Sequence, residues 1–381
     1  MRTRLPTSCQ GERVIFASVR KSSAVVSRSH RSRPRWLAAA AACVAASTVL
    51  AACGSDSEAG ADGAVTVVTG WVVQPEFAQV YAAEALGYYD DAGLDVTIQA
   101  GGPEVNAEQL VGANSAQFGV DAGSNVLTSN DIGTDLVSLT QLEQESSLRL
   151  LSWAEDNLDT PESWEGKRIG IWSSVNSLYA SLAKHGLDRD TDVTLVEQGF
   201  DVSQFLNGDV DLASAYAYNE PGQLVQAGVP LEDIAIYNYA SDDTETLGLQ
   251  VFGNGDFVRE NPELAADFVA ATLRGQIHCR DNPQECVSFV ADAGSSMDSD
   301  FMLWQMNEMN KSIWSSDLPL GTLDQAAFQQ TSDVLSETGV IESAPDLDEL
   351  MRTDVYDDAV TRVGDVDLTS ATFEPLPNVS P

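Results

Sequence analysis

The chain has 381 residues and is strongly acidic, with 58 Asp and Glu, 20 Lys and Arg and three histidines. Nine of the basic residues and one acid lie in the first 36 positions, so the part beyond residue 53 carries 57 acids and 11 bases. This charge repels nucleic acid and anionic lipid headgroups, and the remaining length is enough for two domains.

The N-terminal segment has the features of a secretory signal. Residues 1–36 are basic, whereas residues 36–52 carry no charged side chain and are rich in alanine. A basic region followed by a short apolar stretch and small residues is typical of a cleaved signal peptide. We expect a signal peptide over residues 1–52, and a permanent N-terminal membrane helix is the alternative.

The box LAAC at residues 50–53 closes this segment. It resembles the lipobox of bacterial lipoproteins, in which the cysteine is acylated and becomes the mature N-terminus. The resemblance implies a lipid on Cys53 that anchors the chain to the cell membrane at its extracytoplasmic face. Residues 53–64 are small and acidic, and we expect them to form a flexible tether.

Short apolar runs then alternate with helical patterns as far as about residue 244. Pro75 at a first helical position, with apolar residues at every fourth place after it, predicts a helix over 75–88. Further helices are expected at 104–111, 124–130 and after Ser174, and strands at 65–69, 94–98, 118–120, 168–172, 193–196, 212–218 and 234–237. This alternation indicates a mainly parallel sheet with helices on both faces.

From about residue 261 the pattern is almost entirely helical. Helical spacing extends over 262–274, 283–292, 298–314 and 323–337. Two α/β units of similar size followed by this helical part predict an α/β protein with two lobes and a cleft between them.

The cysteines are few, and their positions favour a single bridge. Cys279 and Cys286 are the two that remain beyond Cys53. In an oxidising compartment we expect a disulfide between them. A zinc site is not expected. His278 is the only histidine near the two cysteines, and the sequence has no second cluster of cysteines and histidines that could complete a set of ligands. The sequence predicts neither a metal nor a cofactor.

Four segments follow predicted strands, where open α/β sheets bind ligands. In the first, Trp71 offers a stacking face and Gln74 an amide, with Phe77 nearby. The alternative is a core tryptophan that covers the sheet. In the second, Asp121 either faces a ligand or caps the next helix.

The third and fourth segments lie in the second half of the α/β region. Ser173, Ser174 and Asn176 would offer hydroxyls and an amide at a helix N-terminus, or Ser174 would be a plain N-cap. In the fourth segment the strand alternation points Tyr216 and Tyr218 to the same side, followed by Asn219 and Glu220. The alternative for Glu220 is a favourable charge at the next helix N-terminus.

No motif for covalent catalysis is present in the sequence. It contains no G-x-S-x-G, phosphate-binding loop or zinc-protease helix, and its three histidines are scattered. We therefore expect a binding protein and no catalytic residues.

The chain resembles the ABC-transporter solute-binding proteins of the class that includes sulfonate, nitrate and thiamine-pyrimidine (NMT1/THI5-like) binders. The stretches that carry the resemblance are FAQVYAAEALGYY at 77–89, AGLDV at 92–96, AQFGV at 116–120, TPESWEGKRIG at 160–170 and GDVD at 208–211. It implies a type II periplasmic-binding-protein fold, with a helical C-terminal part. Lobe one would comprise residues 65–155 and 245–381, and lobe two residues 156–244, joined by crossover strands.

The segment YNE at 218–220 resembles the branch that binds thiamine pyrimidine precursors and, in related members, riboflavin. The resemblance implies that Trp71 and Tyr216 flank a flat heteroaromatic ring. It also implies that Glu220 accepts hydrogen bonds from N–H or amino groups of that ring. It also implies an ABC permease with a separate ATPase as partner, and we expect a monomer.

Three other functions stay open at this point. A binder of an aliphatic sulfonate or nitrate would turn Glu220 away from the cleft and hold its ligand with Ser173 and Ser174. An enzyme is possible because the fold also occurs in a eukaryotic pyrimidine synthase, although the cysteine-rich motif of that enzyme is absent here. A cell-surface interaction protein would bind no small molecule.

Overall fold

The computed structural model of the chain describes residues 63–172 and 175–381. The predicted signal peptide, the lipobox with Cys53, nearly all of the tether, and Ser173 and Ser174 lie outside the described residues. Within the described part, no helix is both long and apolar enough to cross a membrane.

The described residues form two five-stranded sheets. Their strands are β1 Ala64–Thr69, β2 Asp95–Gln99, β3 Phe118–Ala122, β4 Leu136–Gln141, β5 Leu148–Trp153, β6 Arg168–Ile171, β7 Thr194–Glu197, β8 Leu212–Tyr216, β9 Ile234–Asn238 and β10 Leu249–Asn254. The strand order is β2-β1-β3-β10-β4 in the first sheet and β7-β6-β8-β5-β9 in the second. The two sheets thus share one pattern of connections.

Each sheet contains one strand that runs against its neighbours. β10 pairs antiparallel with β3 and β4, and β5 pairs antiparallel with β8 and β9. Both strands directly follow a crossover from the other sheet, so they enter their own sheet from its opposite end. The other four strands of each sheet run in the same direction, so the sheets are mainly parallel in direction, as expected, with one reversed strand each that the sequence did not predict.

Helices cover both faces of each sheet. They are α1 Ala78–Ala85, α2 Tyr88–Asp91, α3 Ala107–Gly112, α4 Gly123–Asp131, α5 Asn176–Lys184, α6 Ser203–Leu206, α7 Glu220–Gln226, α8 Gly255–Glu260, α9 Pro262–Asp281, α10 Pro283–Asp292, α11 Ser299–Ile313, α12 Gln325–Glu337, α13 Leu347–Leu350 and α14 Thr353–Val363. The helix predicted over 75–88 is a 3-10 turn at Pro75–Phe77 followed by α1 and α2, which are separated at Gly87 by a positive φ of 71°.

Two chain segments connect the sheets. Residues 142–147 lead from β4 to β5, and residues 243–248 lead from the second sheet back to β10. Because β5 belongs to the second sheet, the first crossover ends before Leu148, several residues ahead of the boundary at 155/156 expected from the sequence. The return crossover lies near the expected boundary at 244/245.

The helical C-terminal part packs on the first lobe. α9 lies against α1 and α14, and its Phe268 stacks between Phe118 and Tyr89, with ring centroids 4.1 and 5.3 Å away. The Tyr89 hydroxyl lies 2.9 Å from the Thr272 hydroxyl, which satisfies both buried groups. A disulfide between Cys279 and Cys286 joins the end of α9 to α10 in the same core.

Candidate functional site

A cavity of about 1040 Å³ lies between the two sheets and is lined by residues of both lobes. Its walls come from the ends of parallel strands and from the segments that follow them. Gly70 and Trp71 follow β1, and Trp172 follows β6. The carboxyl ends of parallel strands meet at one edge of a sheet, so the fold brings residues that are distant in sequence into one cleft.

Most of the residues predicted from the sequence line this cavity. They are Trp71, Gln74, Phe77, Asp121, Tyr216, Tyr218, Asn219 and Glu220. Asn176 is the first residue of α5 and is not among the lining residues, so its predicted role in the site is not supported. Ser173 and Ser174 are outside the described residues, so their predicted role is not tested.

A row of stacked aromatic rings forms the second-lobe wall. Tyr216 lies between Trp172 and Tyr218, with ring centroids 5.3 and 5.4 Å apart and interplanar angles of 13° and 23°. β8 ends at Tyr216, two residues before the expected end of the strand, and Tyr218 lies in the turn that follows, so the stack forms at the strand end rather than by alternation within the strand. Burial raises the pKa of both phenols, and the carboxylates around them raise it further. Both tyrosines are therefore neutral rings with a hydroxyl.

A second aromatic contact crosses the cleft. Trp71 of the first lobe and Phe200 of the second have ring centroids 4.7 Å apart at an angle of 53°. Phe200 is 57% exposed, an unusual position for a phenylalanine. A large apolar ring at the cavity edge offers a face on which a flat ligand can pack.

Glu220 lines the cavity but is held by its own loop. One carboxylate oxygen accepts the Tyr216 N–H at 2.7 Å, and the other accepts the Asn219 amide at 2.9 Å. Burial raises its pKa to about 7, against the lowering effect of these donors. Glu220 thus joins the end of β8 to the start of α7 while it faces the cavity.

Glu76 is a lining carboxylate that the sequence analysis did not single out. It lies in the 3-10 turn after Pro75, and one of its oxygens accepts the Gln74 amide at 2.6 Å. Burial raises the pKa of Glu76 to about 8, and repulsion from Asp121 and Glu143 adds to that effect. The sequence could have indicated Glu76 as a site residue, since it belongs to the strand-end segment that contains Trp71, Gln74 and Phe77.

Glu108 and Asp121 form a carboxyl pair on the first-lobe wall. Glu108 is on α3, Asp121 is the last residue but one of β3, and their carboxyl groups lie close to each other. Burial raises the pKa of both carboxyls, and the charge of Asp121 raises that of Glu108 further. Two adjacent buried carboxyls do not both ionise readily, so the pair retains a proton near neutral pH.

The cavity as a whole is acidic and aromatic. Its described lining residues include five carboxyl groups and no lysine, arginine or histidine, the acids being Glu76, Glu108, Asp121, Glu197 and Glu220. An anionic ligand would meet only like charge on these walls. A flat ligand with N–H donors would find both apolar faces and acceptors.

Five further polar or aromatic lining residues were not predicted from the sequence. Glu197 ends β7, and Gln198 and Phe200 follow it, so this loop is a fifth segment at a strand end. Asn106 caps α3, and Asn125 lies in the first turn of α4. These two had no sequence signal, because only the packing of the helices turns them toward the cleft.

Two α/β lobes of this connectivity, with a cleft between them, define the class of periplasmic binding proteins. The solved structure of the aliphatic sulphonate binding protein SsuA from Escherichia coli is similar to this chain, with a TM-score of 0.61 at 13% identity. It covers 76% of this chain and 91% of that one. At this identity the likeness shows the fold, and it confirms the predicted fold class.

The family model described as NMT1/THI5 like matches residues 74–286. The riboflavin-binding protein RibY of Chloroflexus aurantiacus is 26% identical over 304 residues, which are 74% of this chain and 82% of RibY. The 4-amino-5-hydroxymethyl-2-methylpyrimidine phosphate synthase of Candida albicans is 24% identical over 250 residues, 62% of this chain and 73% of the enzyme. The chain belongs to the NMT1/THI5-like family.

Proposed function

We propose that the chain is the extracytoplasmic solute-binding component of an ABC importer, and that its cleft captures a small nitrogenous heteroaromatic molecule. A thiamine pyrimidine precursor is the proposed ligand, and riboflavin is the alternative. The observation that carries the proposal is the composition of the cavity wall, in which stacked aromatic rings stand beside carboxyl groups with no basic side chain among the described lining residues.

The acidic composition of the cavity wall does not favour a sulfonate or nitrate ligand. Such a ligand needs positive or N–H-rich partners, and the anion hypothesis required Glu220 to face away from the cleft. Glu220 instead lines the cavity together with Glu76 and Asp121. The likeness to a sulfonate-binding protein concerns the fold and does not carry its ligand to this chain.

The relatives include both a binding protein and an enzyme. RibY is named for riboflavin binding and the Candida albicans relative for pyrimidine phosphate synthesis. Both names refer to flat nitrogen heterocycles, which is the chemistry that suits this cleft. We propose binding without turnover, delivery to a permease driven by a separate ATPase, a monomeric state, and a lipid anchor on Cys53.

A thermal-shift panel tests the proposal. The purified chain is heated with 4-amino-5-hydroxymethyl-2-methylpyrimidine, thiamine, riboflavin, taurine or nitrate. A ligand at 100 times its Kd adds about 2.7 kcal/mol, which for a body of this size is a rise in Tm of about 4 °C. We expect the rise with at least one heterocycle and not with taurine or nitrate; the reverse result would contradict the proposal.

A pair of variants locates the binding site. Phe200→Ala removes the exposed ring at the cavity and should weaken heterocycle binding about fivefold to tenfold. Ile236→Ala is the matched control, because Ile236 is 47% exposed on the same lobe and does not line the cavity. Equal losses in the two variants would place the ligand elsewhere.

A further inference from the structure

We propose that the Glu108–Asp121 wall of the cleft is a subsite for a positively charged nitrogen, so that the ligand is a heteroaromatic cation. The inference rests on the proposed function, because it assumes that the ring of the ligand occupies the same cavity. It deepens that function by adding the charge class of the ligand. The proposed function admits neutral pyrimidines and riboflavin, and the inference is that the cleft favours a heterocycle that carries a positive charge.

The first support is an unsatisfied oxygen. Glu108 lines the cavity although it is only 3% exposed, and its buried Oε1 atom receives no hydrogen bond from an N–H or hydroxyl donor in the described part of the chain. A buried acceptor that has lost its water costs free energy unless a donor reaches it. The structure thus leaves an acceptor on the cavity wall for a donor that the ligand would bring.

The second support is that the pair is fixed in place. The Ala122 N–H donates to Asp121 at 2.7 Å, and the nearby Asn125 side chain opposes the rise in the pKa of the same carboxyl. A Cβ on Gly70 would lie 2.4 Å from the carboxyl carbon of Asp121, so the glycine leaves the space that this carboxyl occupies. Because these contacts fix the Asp121 carboxyl, the Glu108–Asp121 pair does not rotate toward solvent. It presents a preformed anionic surface to the cavity.

The third support is the lack of a compensating base on the elements around α3. α3 packs against β1, β3, β4, β10 and α4. Asp121 of β3 faces Glu108, while Asp131 ends α4 and accepts the backbone N–H groups of Glu342 and Ser343. Strands β1, β4 and β10 contain no titratable residue. A retained proton reduces the charge of the pair to a single negative charge until a cation arrives.

Binding of a cation should therefore release this proton. The ammonium, amidinium or ring N⁺ group supplies the positive charge, the shared carboxyl O–H breaks to give a carboxylate, and the proton passes to the buffer. A neutral heterocycle leaves the proton in place. The predicted signature is proton release with cationic ligands alone.

Isothermal titration calorimetry at pH 7.5 in two buffers of different ionisation enthalpy measures this release. The probes are thiamine, which carries an aminopyrimidine and a permanent positive charge, and the neutral compounds 4-amino-5-hydroxymethyl-2-methylpyrimidine and riboflavin. We expect thiamine to bind at least about tenfold more tightly than either neutral probe and to release up to about one proton.

The variant Glu108→Gln keeps the shape of the side chain and removes its charge. It should weaken thiamine binding about tenfold and abolish the proton release, with the neutral probes changed less than about twofold. Glu104→Gln is the matched control, because Glu104 is exposed, lies four residues earlier and is not among the residues that line the cavity.

The outcomes separate this inference from the proposed function. Tight binding of a neutral heterocycle without proton release, or thiamine binding that Glu108→Gln leaves unchanged, would overturn the cation subsite while the heteroaromatic cleft stands. If none of the three heterocycles binds and taurine or nitrate does, the proposed function and the subsite both fail.

Discussion

Two carboxylates of the cleft, Glu76 and Glu220, make different hydrogen bonds. Glu220 accepts one backbone and one amide N–H with its two oxygens, so both of its acceptors serve the junction of β8 and α7. Glu76 accepts the Gln74 amide with one oxygen. The Glu76 partners, the Gln74 amide and the Tyr218 hydroxyl, are both side chains, so Glu76 is the better acceptor for a ligand, whereas Glu220 accepts a backbone N–H and positions the loop.

The residue-scale prediction compares Glu76→Gln with Glu220→Gln at pH 8, where burial no longer keeps Glu220 protonated. Glutamine offers one acceptor oxygen, so Glu220→Gln leaves one of two N–H donors unpaired and should lower the free energy of unfolding by about 1–2 kcal/mol. Glu76→Gln should leave stability unchanged or higher and weaken heterocycle binding about tenfold. Urea denaturation and calorimetry measure the two effects, and a loss of stability in Glu76→Gln alone would reverse these roles.

The sequence placed several residues on the cavity wall because strand ends in α/β sheets share one edge. Trp71, Asp121 and Tyr216 are examples, since each lies at or just after a strand that was recognised. Glu108 could not be placed in this way. It lies inside a helix, and its direction depends on how α3 packs against β3, which no local pattern records.

At the scale of elements, α7 connects the lobes in addition to the two crossovers. Its Gly222 lies against α11, where a Cβ would be 2.5 Å from the Trp304 ring and 2.6 Å from the Phe301 ring. The Gln305 amide of α11 donates to Asn219, just before α7, at 3.0 Å. The start of α7 therefore holds two lining residues, Asn219 and Glu220, against the first lobe.

The element-scale prediction is that Gly222→Leu weakens ligand binding. The added side chain forces α7 away from α11, breaks the bond between Gln305 and Asn219, and moves the cavity wall, so affinity should fall at least about tenfold. Gln226→Leu, at the exposed end of α7, is the control and should bind normally. Circular dichroism checks the fold. Unchanged affinity in Gly222→Leu would show that the contact does not shape the site.

The predicted elements match the structure where the pattern is local. β1 and α10 fall within a residue of their expected bounds, whereas β4, β5 and β10 were not among the predicted strands. β10 is buried along its whole length, so it shows no alternation of apolar and polar residues. The same three strands border the crossovers, and their partners are far apart in sequence, which is why the boundary at 155/156 was placed too late.

At the scale of the whole molecule, the acidic cleft sets the dependence of stability on pH. Burial raises the pKa of Glu76 to about 8 and that of Glu220 to about 7, and it also raises the pKa of Glu108, Asp121 and Glu143. In the unfolded chain the pKa has its ordinary value, near 4.5 for the glutamates and near 3.8 for Asp121. Between these limits the folded state binds more protons than the unfolded one, so the free energy of unfolding falls as pH rises.

Other carboxylates oppose this trend at lower pH. Hydrogen bonds from Arg168 lower the pKa of Asp211, and those from Arg352 lower the pKa of Asp354. Their contribution is present above the ordinary value near 3.8 and is lost as pH falls through the lowered pKa. Stability should therefore be greatest near pH 5, and both sets of groups contribute to that maximum.

We expect the free energy of unfolding without ligand to fall by about 2–4 kcal/mol from pH 5 to pH 8, since one retained proton corresponds to about 1.4 kcal/mol per pH unit and several of these groups are only partly enclosed. Urea denaturation at a series of pH values measures the fall. The double variant Glu76→Gln/Glu108→Gln should flatten the curve over this range, because the amides bind no proton in either state. A maximum at pH 8 would contradict the prediction, and an equal slope in the double variant would show that Glu76 and Glu108 are not the origin of the pH dependence.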